Sequence, residues 1–332
     1  MSGRLERLAA ELSGREVDGL LVSGLANVRY LSGFSGSNGM LLVGARAARF
    51  FTDFRYDTQS AAQLPPDLDR EIVTGDLLEA VAEHLRERMP GGGRLGFDEA
   101  SISVAQHRRL AERLGEGWEL VGCAGAVEAL RMVKDAGEIA RIRAASELAD
   151  EALRRVLEQG LAGRSEREVA LELELAMRRL GAHGPSFPSI VAAGAHGALP
   201  HAEPRDVTIP RDVLVTIDWG AFHEGYCSDC TRTYATGENV GARAREVYEL
   251  VLEAQRAGLA AIRPGPNGKE LDAAAREVIE RAGEGERFGH GLGHGVGLEI
   301  HEGPRLSRTA SEDPLQAGNV VTVEPGVYLP GE

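Results

Sequence analysis

Residues 213–233, VLVTIDWGAFHEGYCSDCTRT, consist of two runs with strand-like alternation joined by a short polar connection. The first run is 213–218, the second is 227–234, and Gly225 lies in the connection between them. Apolar residues at every second position indicate a strand with one buried face, and two such runs around a short polar turn are typical of an antiparallel hairpin. The sequence therefore predicts a hairpin here, and the rest of the chain is interpreted around it.

Two aspartates of this hairpin, Asp218 and Asp229, would face each other if its turn is centred between His223 and Glu224. Directly opposed side chains have Cβ atoms about 4.5 to 5.5 Å apart, and like charges at that distance repel each other. A bound cation turns this repulsion into shared coordination, and two cations about 3.5 to 4 Å apart suit both oxygens of each carboxylate. The alternative is a solvated hairpin whose charges point into water.

Length, charge and cysteine content limit what the protein can be. The chain has 332 residues, enough for two domains, and its net charge of −14 argues against nucleic acid or an anionic membrane as a partner. We see no apolar signal segment and no membrane-spanning run, so we expect a cytoplasmic protein. Three cysteines fit a reducing compartment, and the CxxC at 227–230 lies in a strand pattern, which favours neither a redox nor a zinc site.

Helical and strand patterns alternate along residues 1–125, which predicts an α/β domain. Helices are predicted at 4–12, 76–89 and 104–114, and strands at 19–22, 40–43, 49–52, 94–98 and 118–121. Such alternation is typical of a small parallel or mixed sheet covered by helices. The segment 27–37, NVRYLSGFSGS, is rich in small residues and is predicted to be a loop between strands.

Residues 126–332 contain an internal repeat with a shift of 102 positions. The shift superposes several identical residues, including Gly163 on Gly265 and Gly181 on Gly283. Each copy is predicted to hold a helix, a glycine-containing turn, a second helix and a glycine before the next strand. A duplicated ααβ unit of this kind predicts a pseudo-symmetric sheet with its helices on one side and a cleft on the other.

Three of the nine histidines fall in one glycine-rich segment, residues 288–304, FGHGLGHGVGLEIHEGP. They are His290, His294 and His301. Glycine at every second position from 289 to 297 excludes a stable helix and predicts an extended backbone that other segments can approach closely. A single histidine is more often a core or surface residue, but three in such a run favour a functional site.

Two further residues belong with these histidines, and one of them completes a candidate ligand set. His201 ends a small-residue loop that follows the predicted strand in 186–201, and Glu324 ends the β-rich run 320–326, VVTVEPG. Alone, Glu324 would be a charge at the end of a strand. Together with the two aspartates and a histidine, it gives an oxygen-rich set that favours Mn²⁺ or a similar divalent ion over structural zinc.

Three phrases of the sequence resemble the signature blocks of the Xaa-Pro peptidases, the aminopeptidase P and prolidase group of pita-bread-fold metallopeptidases. They are TIDWGAFHEGYCSDCTRTYATG, FGHGLGHGVGLEIHEGP and TVEPGVY. The resemblance extends over the whole chain, because NVRYLSGFSGS and FTDFRYDTQ are similar to the group's N-terminal domain and LRMVKDAGEIARIRAA to its connecting helix. It implies an α/β creatinase-like N-terminal domain at 1–125 and an α+β pita-bread catalytic domain, built from the duplicated ααβ unit, at 126–332.

The resemblance also implies roles for individual residues. The implied metal ligands are Asp218, Asp229, His294 and Glu324. The implied catalytic or substrate-binding residues are His201, His290, His301, Glu324 and Arg305, the last of which matches an arginine that faces the substrate carboxylate in prolidases. We expect two divalent ions at this site, Mn²⁺ first, with Co²⁺ or Zn²⁺ as alternatives.

One departure from the group concerns a fifth ligand. The group places a glutamate that bridges both metals in a strand beyond the turn that follows the position of Glu324, whereas this sequence ends at Glu332. We therefore expect either that the catalytic domain lacks its last strand in this sequence or that the second metal is held weakly.

The resemblance implies a Xaa-Pro aminopeptidase of the aminopeptidase P type, which removes the residue before a proline at the second position of a peptide. A prolidase, which cleaves Xaa-Pro dipeptides, is the alternative that Arg305 favours. The second alternative is a non-catalytic pita-bread protein that binds peptides or proteins. No GxSxG elbow and no HExxH motif is present to support another hydrolase design. The resemblance also implies a homodimer.

Overall fold

The structure, a computed structural model, describes residues 3–331. The chain divides into two compact units, Met1–Arg131 and Met132–Glu332. Within the described range, no helix is both long enough and apolar enough to cross a membrane.

The first unit contains a six-stranded mixed sheet. Its strands are β1 (Gly19–Val22), β2 (Met40–Gly44), β3 (Ala48–Asp53), β4 (Asp69–Val73), β5 (Gly93–Phe97) and β6 (Trp118–Gly122). Their order is β4-β3-β2-β1-β5-β6, with parallel pairs β3–β4, β1–β5 and β5–β6 and antiparallel pairs β1–β2 and β2–β3. The mixed sheet predicted for this part of the chain is confirmed.

Six helices accompany this sheet. They are α1 (Gly3–Leu12), α2 (Leu25–Ser32), α3 (Asp57–Gln63), α4 (Leu77–Arg88), α5 (Val104–Leu114) and α6 (Ala126–Met132). Helix α6 is held in the first unit because the side chain of Asn27 donates to Glu128 at 2.6 Å. The compact unit therefore extends past residue 125, where the composition of the sequence changes.

The predicted loop at 27–37 is wrong in its first half, since α2 occupies it. Val28, Tyr30 and Leu31 are at most 2% exposed, and the burial of these apolar side chains stabilises the helix. The helix ends where Gly33 adopts a φ of 81°, a conformation that favours glycine. The small residues that indicated a loop dominate only beyond this point. Strand β4 and helix α3 were not predicted.

The second unit contains the predicted repeat. Its helices are α7 (Ala136–Leu157), α8 (Glu166–Arg179), α9 (Ala242–Ala261) and α10 (Gly268–Arg281). Helix α10 begins and ends 102 positions after α8, as the repeat predicts. The same local signals start both helices, because Ser165 before α8 and Asn267 before α10 each form a capping box with a glutamate three residues later.

Eight short strands complete the second unit. They are β7 (Gly184–Pro185), β8 (Ile190–Ala193), β9 (Leu214–Trp219), β10 (Ala221–His223), β11 (Tyr226–Cys227), β12 (Cys230–Ala235), β13 (Gly293–Gly295) and β14 (Glu302–Leu306). They form antiparallel sheets of order β12-β9-β8, β11-β10-β7 and β13-β14. No helix forms in residues 288–304, as the glycines predict.

Burial along β9 decides which side of the sheet carries function. Val215, Ile217 and Trp219 are at most 1% exposed and pack in the core with residues of α7 and α8. Because successive side chains of a strand point to opposite faces, Thr216 and Asp218 face away from this core. The helices thus cover one face of the strand and leave Asp218 on the other.

The predicted hairpin forms, but its register differs from the prediction. Asp218 pairs with Thr231, so the two-residue turn is formed by Glu224 and Gly225. Both turn residues have positive φ, 49° and 88°, as a type I′ turn requires, and glycine at the second position suits this turn. The prediction that Asp218 and Asp229 are direct cross-strand neighbours is therefore wrong, and Asp229 lies between β11 and β12.

This turn generates a stability prediction. Glu224→Asn should raise the midpoint of thermal unfolding of the metal-free protein by about 1–3 °C, because asparagine tolerates positive φ better than glutamate. The ion pair that Glu224 forms with Arg141 spans 3.8 Å between well-exposed side chains, so its loss costs little. Circular dichroism melts measure the shift, with Gly225→Ala as the control that should lower the midpoint. An unchanged or lower midpoint for Glu224→Asn would contradict this account of the turn.

Candidate active site

Three predicted ligands from distant parts of the chain meet in the second unit. One ligand atom from each of Asp229, His294 and Glu324 lies within 4.8 Å of the other two. Nε2 of His294 is 3.4 Å from Oδ2 of Asp229 and 3.2 Å from Oε1 of Glu324. The side chains of Asp229 and His294 are 10% and 17% exposed and that of Glu324 is 32% exposed, so this cluster is partly shielded from water.

Backbone hydrogen bonds bring Glu324 beside His294. The amide of Thr322 donates to His294 O at 2.9 Å and the amide of Glu324 donates to Leu292 O at 2.8 Å, so 320–324 runs antiparallel to β13. The β-rich run predicted at 320–326 is thus extended, although only Val321 forms a β-bridge there. Gly293 permits the close approach, because a Cβ at this position would lie 2.1 Å from Thr322 O.

Neighbouring groups orient each ligand. Nδ1 of His294 lies 3.0 Å from Gly295 O, and donation to this carbonyl fixes the tautomer that leaves Nε2 free to bind a metal. The hydroxyl of Thr322 donates to Oε1 of Glu324 at 2.6 Å. The hydroxyl of Thr231 donates to Oδ1 of Asp218 at 2.8 Å, which is the contact created by their cross-strand pairing.

Asp218 lies next to the cluster but is not one of the three residues within 4.8 Å of one another. Burial, followed by the charge of Glu324, raises its pKa to about 6 against the hydrogen bond from Thr231. Burial and the charges of Asp218 and Glu324 raise the pKa of Asp229 to about 7. These carboxyl groups therefore repel one another when ionised.

His294 compensates only part of this negative charge. Burial lowers its pKa, but the hydrogen bond to Glu324 and the charges of Glu324 and Asp229 outweigh burial, so the pKa is raised. Burial also opposes ionisation of Glu324, yet the hydrogen bonds from His294 and Thr322 lower the pKa of this carboxyl group. A proton on His294 thus partly replaces a cation in this arrangement.

The donor set fits a divalent cation. Among residues 3–331, no lysine or arginine forms an ion pair with Asp218, Asp229 or Glu324. Buried carboxylates without a cationic partner are costly, and carboxylate oxygens with one imidazole are ligands that suit Mn²⁺ and related ions. Divalent ions at this position would offset both the burial and the mutual repulsion that raise the pKa values of the two aspartates.

The remaining predicted residues adjoin this cluster to different degrees. The rings of His294 and His301 are in edge contact, with centroids 4.4 Å apart. Burial, and then the charges of His294, Arg305 and His201, lower the pKa of His301. Arg305 is the cross-strand partner of His294 in the β13–β14 pair, and its exposed side chain forms no ion pair among the described residues.

Sequence reasoning missed Tyr328 as a site residue. Its hydroxyl lies 2.8 Å from Nε2 of His290, whose Nδ1 is 2.8 Å from Gly291 O. Burial and the charges of Glu324 and Asp218 raise the pKa of Tyr328 to about 12, so the phenol keeps its proton and can donate to His290. The signal was present in TVEPGVY, where a tyrosine lies four positions after Glu324, just beyond the Pro-Gly turn.

Comparison with known proteins assigns the family. Residues 140–332 match metallopeptidase family M24, and residues 4–133 match the creatinase/prolidase N-terminal domain. The chain belongs to metallopeptidase family M24. This M24 peptidase is 37% identical over 333 residues to the Xaa-Pro dipeptidase of Pyrococcus furiosus, covering 99% of this chain and 92% of that protein.

Solved structures extend the likeness to the fold. An Xaa-Pro dipeptidase from Bacillus anthracis has a TM-score of 0.94 at 38% identity, covering 99% of this M24 peptidase and 90% of that chain. An X-Pro aminopeptidase from Thermotoga maritima has a TM-score of 0.88 at 37% identity, with coverage of 99% and 92%. The predicted fold, a creatinase-type N-terminal domain and a pita-bread catalytic domain, is confirmed, and the M24 peptidase is a metal-dependent hydrolase.

The raised pKa of Asp229 gives a pH prediction for the metal-free protein. The folded protein binds the proton of the Asp229 carboxyl group more tightly than the unfolded chain does. The stability that this proton contributes is complete below the pKa of Asp229 in the unfolded chain, and it is lost as pH rises through about 7. Asp229→Asn cannot ionise, so its unfolding midpoint in EDTA should exceed that of the wild type by about 3–8 °C at pH 8. Thermal melts from pH 8 to pH 4 should show this difference shrinking. A difference that does not change with pH would contradict the proposed repulsion.

Proposed function

We propose that this M24 peptidase is an Xaa-Pro dipeptidase, a prolidase. The relatives named Xaa-Pro dipeptidase support this alternative better than the aminopeptidase P activity expected first from the sequence. The observation that carries the proposal is the position of Arg305, directly across the strand pair from His294 and without an ion-pair partner among residues 3–331. A guanidinium there can bind the carboxylate of a dipeptide beside the hydrolytic centre.

Four residues would hold the metal in this proposal. Asp218, Asp229, His294 and Glu324 supply carboxylate oxygens and one imidazole nitrogen, and we propose two divalent ions, with Mn²⁺ preferred to Co²⁺ or Zn²⁺. When bound, such ions supply a water of lowered pKa and polarise a carbonyl group.

Glu324 is suited to move the proton of the attacking water. Its Oε1 accepts from Thr322, whereas Oε2 has no hydrogen-bond partner in the described range, so Oε2 can take up a proton and pass it to the leaving nitrogen. The leaving nitrogen is that of proline, which carries no hydrogen in the peptide bond and must receive one for release. Glu324 therefore acts in two steps, when the water attacks and when the proline leaves.

The histidines act by hydrogen bonding in this proposal. The lowered pKa of His301 keeps its imidazole neutral near pH 7, so that one ring nitrogen carries the N–H that can donate to the substrate carbonyl oxygen. His201 ends the loop after β8, and its charge helps to lower the pKa of His301. In this proposal His201 contacts the dipeptide. Both ring nitrogens of His290 are engaged, Nδ1 with Gly291 O and Nε2 with the Tyr328 hydroxyl, so His290 would act on the substrate or its leaving group by exchanging the contact with Tyr328.

Aminopeptidase P activity is the second candidate. The similarity to the X-Pro aminopeptidase from Thermotoga maritima favours it. A non-catalytic binding protein is less well supported, because all four candidate metal ligands and the three further candidate histidines are present in the chain. The homodimer and the cytoplasmic location implied by the sequence stay predictions, and analytical ultracentrifugation tests the former.

Substrate length and Arg305 together test the proposed function. With Mn²⁺, the wild type should cleave Xaa-Pro dipeptides with kcat/KM at least about tenfold above Xaa-Pro-Yaa tripeptides, and Asp229→Ala should cleave neither. Arg305→Met should raise KM for the dipeptide about 10–100-fold but leave that for the Xaa-Pro amide, which has no carboxylate, nearly unchanged. Steady-state kinetics measure these values.

Arg308→Met provides the matched control, since Arg308 lies three residues further on and is paired with Glu280 at 2.9 Å. It should change neither KM. Faster cleavage of tripeptides than of dipeptides by the wild type would replace prolidase with aminopeptidase P. Equal effects of Arg305→Met on the dipeptide and its amide would remove the carboxylate-binding role.

A further inference from the structure

The segment that carries His290 has no regular secondary structure of its own. Residues 288–292 precede β13 and contain Gly289 and Gly291. Glycine increases the number of conformations open to a chain, so such a segment needs external contacts to hold one side chain in place. The contacts that fix the position of His290 must therefore come from another element.

An ion pair on α10 supplies three of these contacts, and the amide of Glu324 supplies another to Leu292 O. Arg276 donates from Nη1 to Phe288 O at 2.8 Å and from Nη2 to His290 O at 2.6 Å. Asp272 accepts at Oδ1 from the amide of Leu292 at 2.9 Å. Because the three backbone groups belong to alternate residues, the two side chains bind one edge of the segment as a neighbouring strand would.

The ion pair itself is rigid and buried. Nε and Nη2 of Arg276 lie 2.6 and 2.9 Å from Oδ2 and Oδ1 of Asp272, and the two side chains are 6% and 1% exposed. The guanidinium carbon also lies 4.0 Å from the ring centroid of Phe288. Arginine suits this place, since its planar group can bind the carboxylate and both carbonyls at once, whereas a lysine ammonium cannot.

Stability alone does not account for this arrangement. Buried ion pairs often contribute no more to folding than well-packed apolar side chains, and their retention is better explained where they specify a conformation. Among residues 3–331, every side-chain hydrogen bond of Asp272 and Arg276 beyond their own pair goes to the backbone of 288–292. The side chain of His290 is thereby left free to contact Tyr328.

We propose that Asp272 and Arg276 form a positioning pair that sets the location of His290 in the active site. The pair touches no substrate and acts only through the backbone that carries the imidazole. The inference rests on the proposed function for its kinetic consequence, but its structural part holds for any reaction at this site. Loss of the pair should lower kcat, while KM changes little.

A double-mutant cycle tests the route through His290. Arg276→Lys keeps the positive charge opposite Asp272 but cannot donate to Phe288 O and His290 O at the same time. It should lower kcat for the Xaa-Pro dipeptide about 10–100-fold. In a His290→Asn background the same change should lower kcat by less than about threefold, since the residue that it positions is already gone. Losses that multiply in the double variant would overturn the inference. Arg281→Lys, at the end of the same helix, is the matched control.

Hydrogen exchange on the metal-free protein tests the structural part without activity. Arg276→Lys should speed amide exchange in peptides covering 288–292 at least about tenfold and leave peptides of α8 and β9 unchanged. Asp272→Asn, which can still accept from Leu292, should give a smaller increase and serves as the second variant if Arg276→Lys does not fold. Unchanged exchange at 288–292, or a uniform increase across the second unit, would overturn the inference.

The two experiments separate this inference from the proposed function. A wild type that cleaves no Xaa-Pro dipeptide would remove the proposed function, and the exchange measurement would then decide the positioning role by itself. An active wild type in which the kcat losses of Arg276→Lys and His290→Asn multiply in the double variant would remove the positioning role and leave the proposed function standing.

Discussion

Incompletely neutralised negative charge at one point of the second unit is the constraint on which the site depends. Asp229 and Glu324 flank the imidazole of His294, Asp218 lies next to them, and none of the three carboxylates has a lysine or arginine partner in the described part of the chain. The protein holds them there through backbone contacts, above all the pairing of 320–324 with β13. A divalent cation is the group that turns this costly arrangement into a stable one.

Much of the fold could be predicted because its signals are local. The 102-residue shift relates α10 to α8, since a capping box closed by a glutamate and the flanking glycines recur in each copy. Five of the six strands of the first unit were found from short apolar runs, and β4 was missed. Helix α2 was missed because the small residues after Gly33 hid a short amphipathic pattern before it, where burial of Tyr30 and its neighbours decides the conformation.

The site was predicted in composition rather than in geometry. The histidines and carboxylates were identified by their types and by a family resemblance, but the pairing of Asp218 with Thr231 depends on positive φ at Glu224 and Gly225. The role of Tyr328 depends on a contact 38 positions away in sequence. Such contacts become visible only when distant segments are packed together.

Anomalous X-ray diffraction from crystals soaked in MnCl₂ tests the central claim most directly. The account predicts anomalous density within coordination distance of Nε2 of His294 and of carboxylate oxygens of Asp229 and Glu324, with Asp218 adjoining a second peak. Asp229→Asn crystals treated in the same way should lose or weaken this density. Manganese bound elsewhere in the wild type, with none at this cluster, would contradict the account.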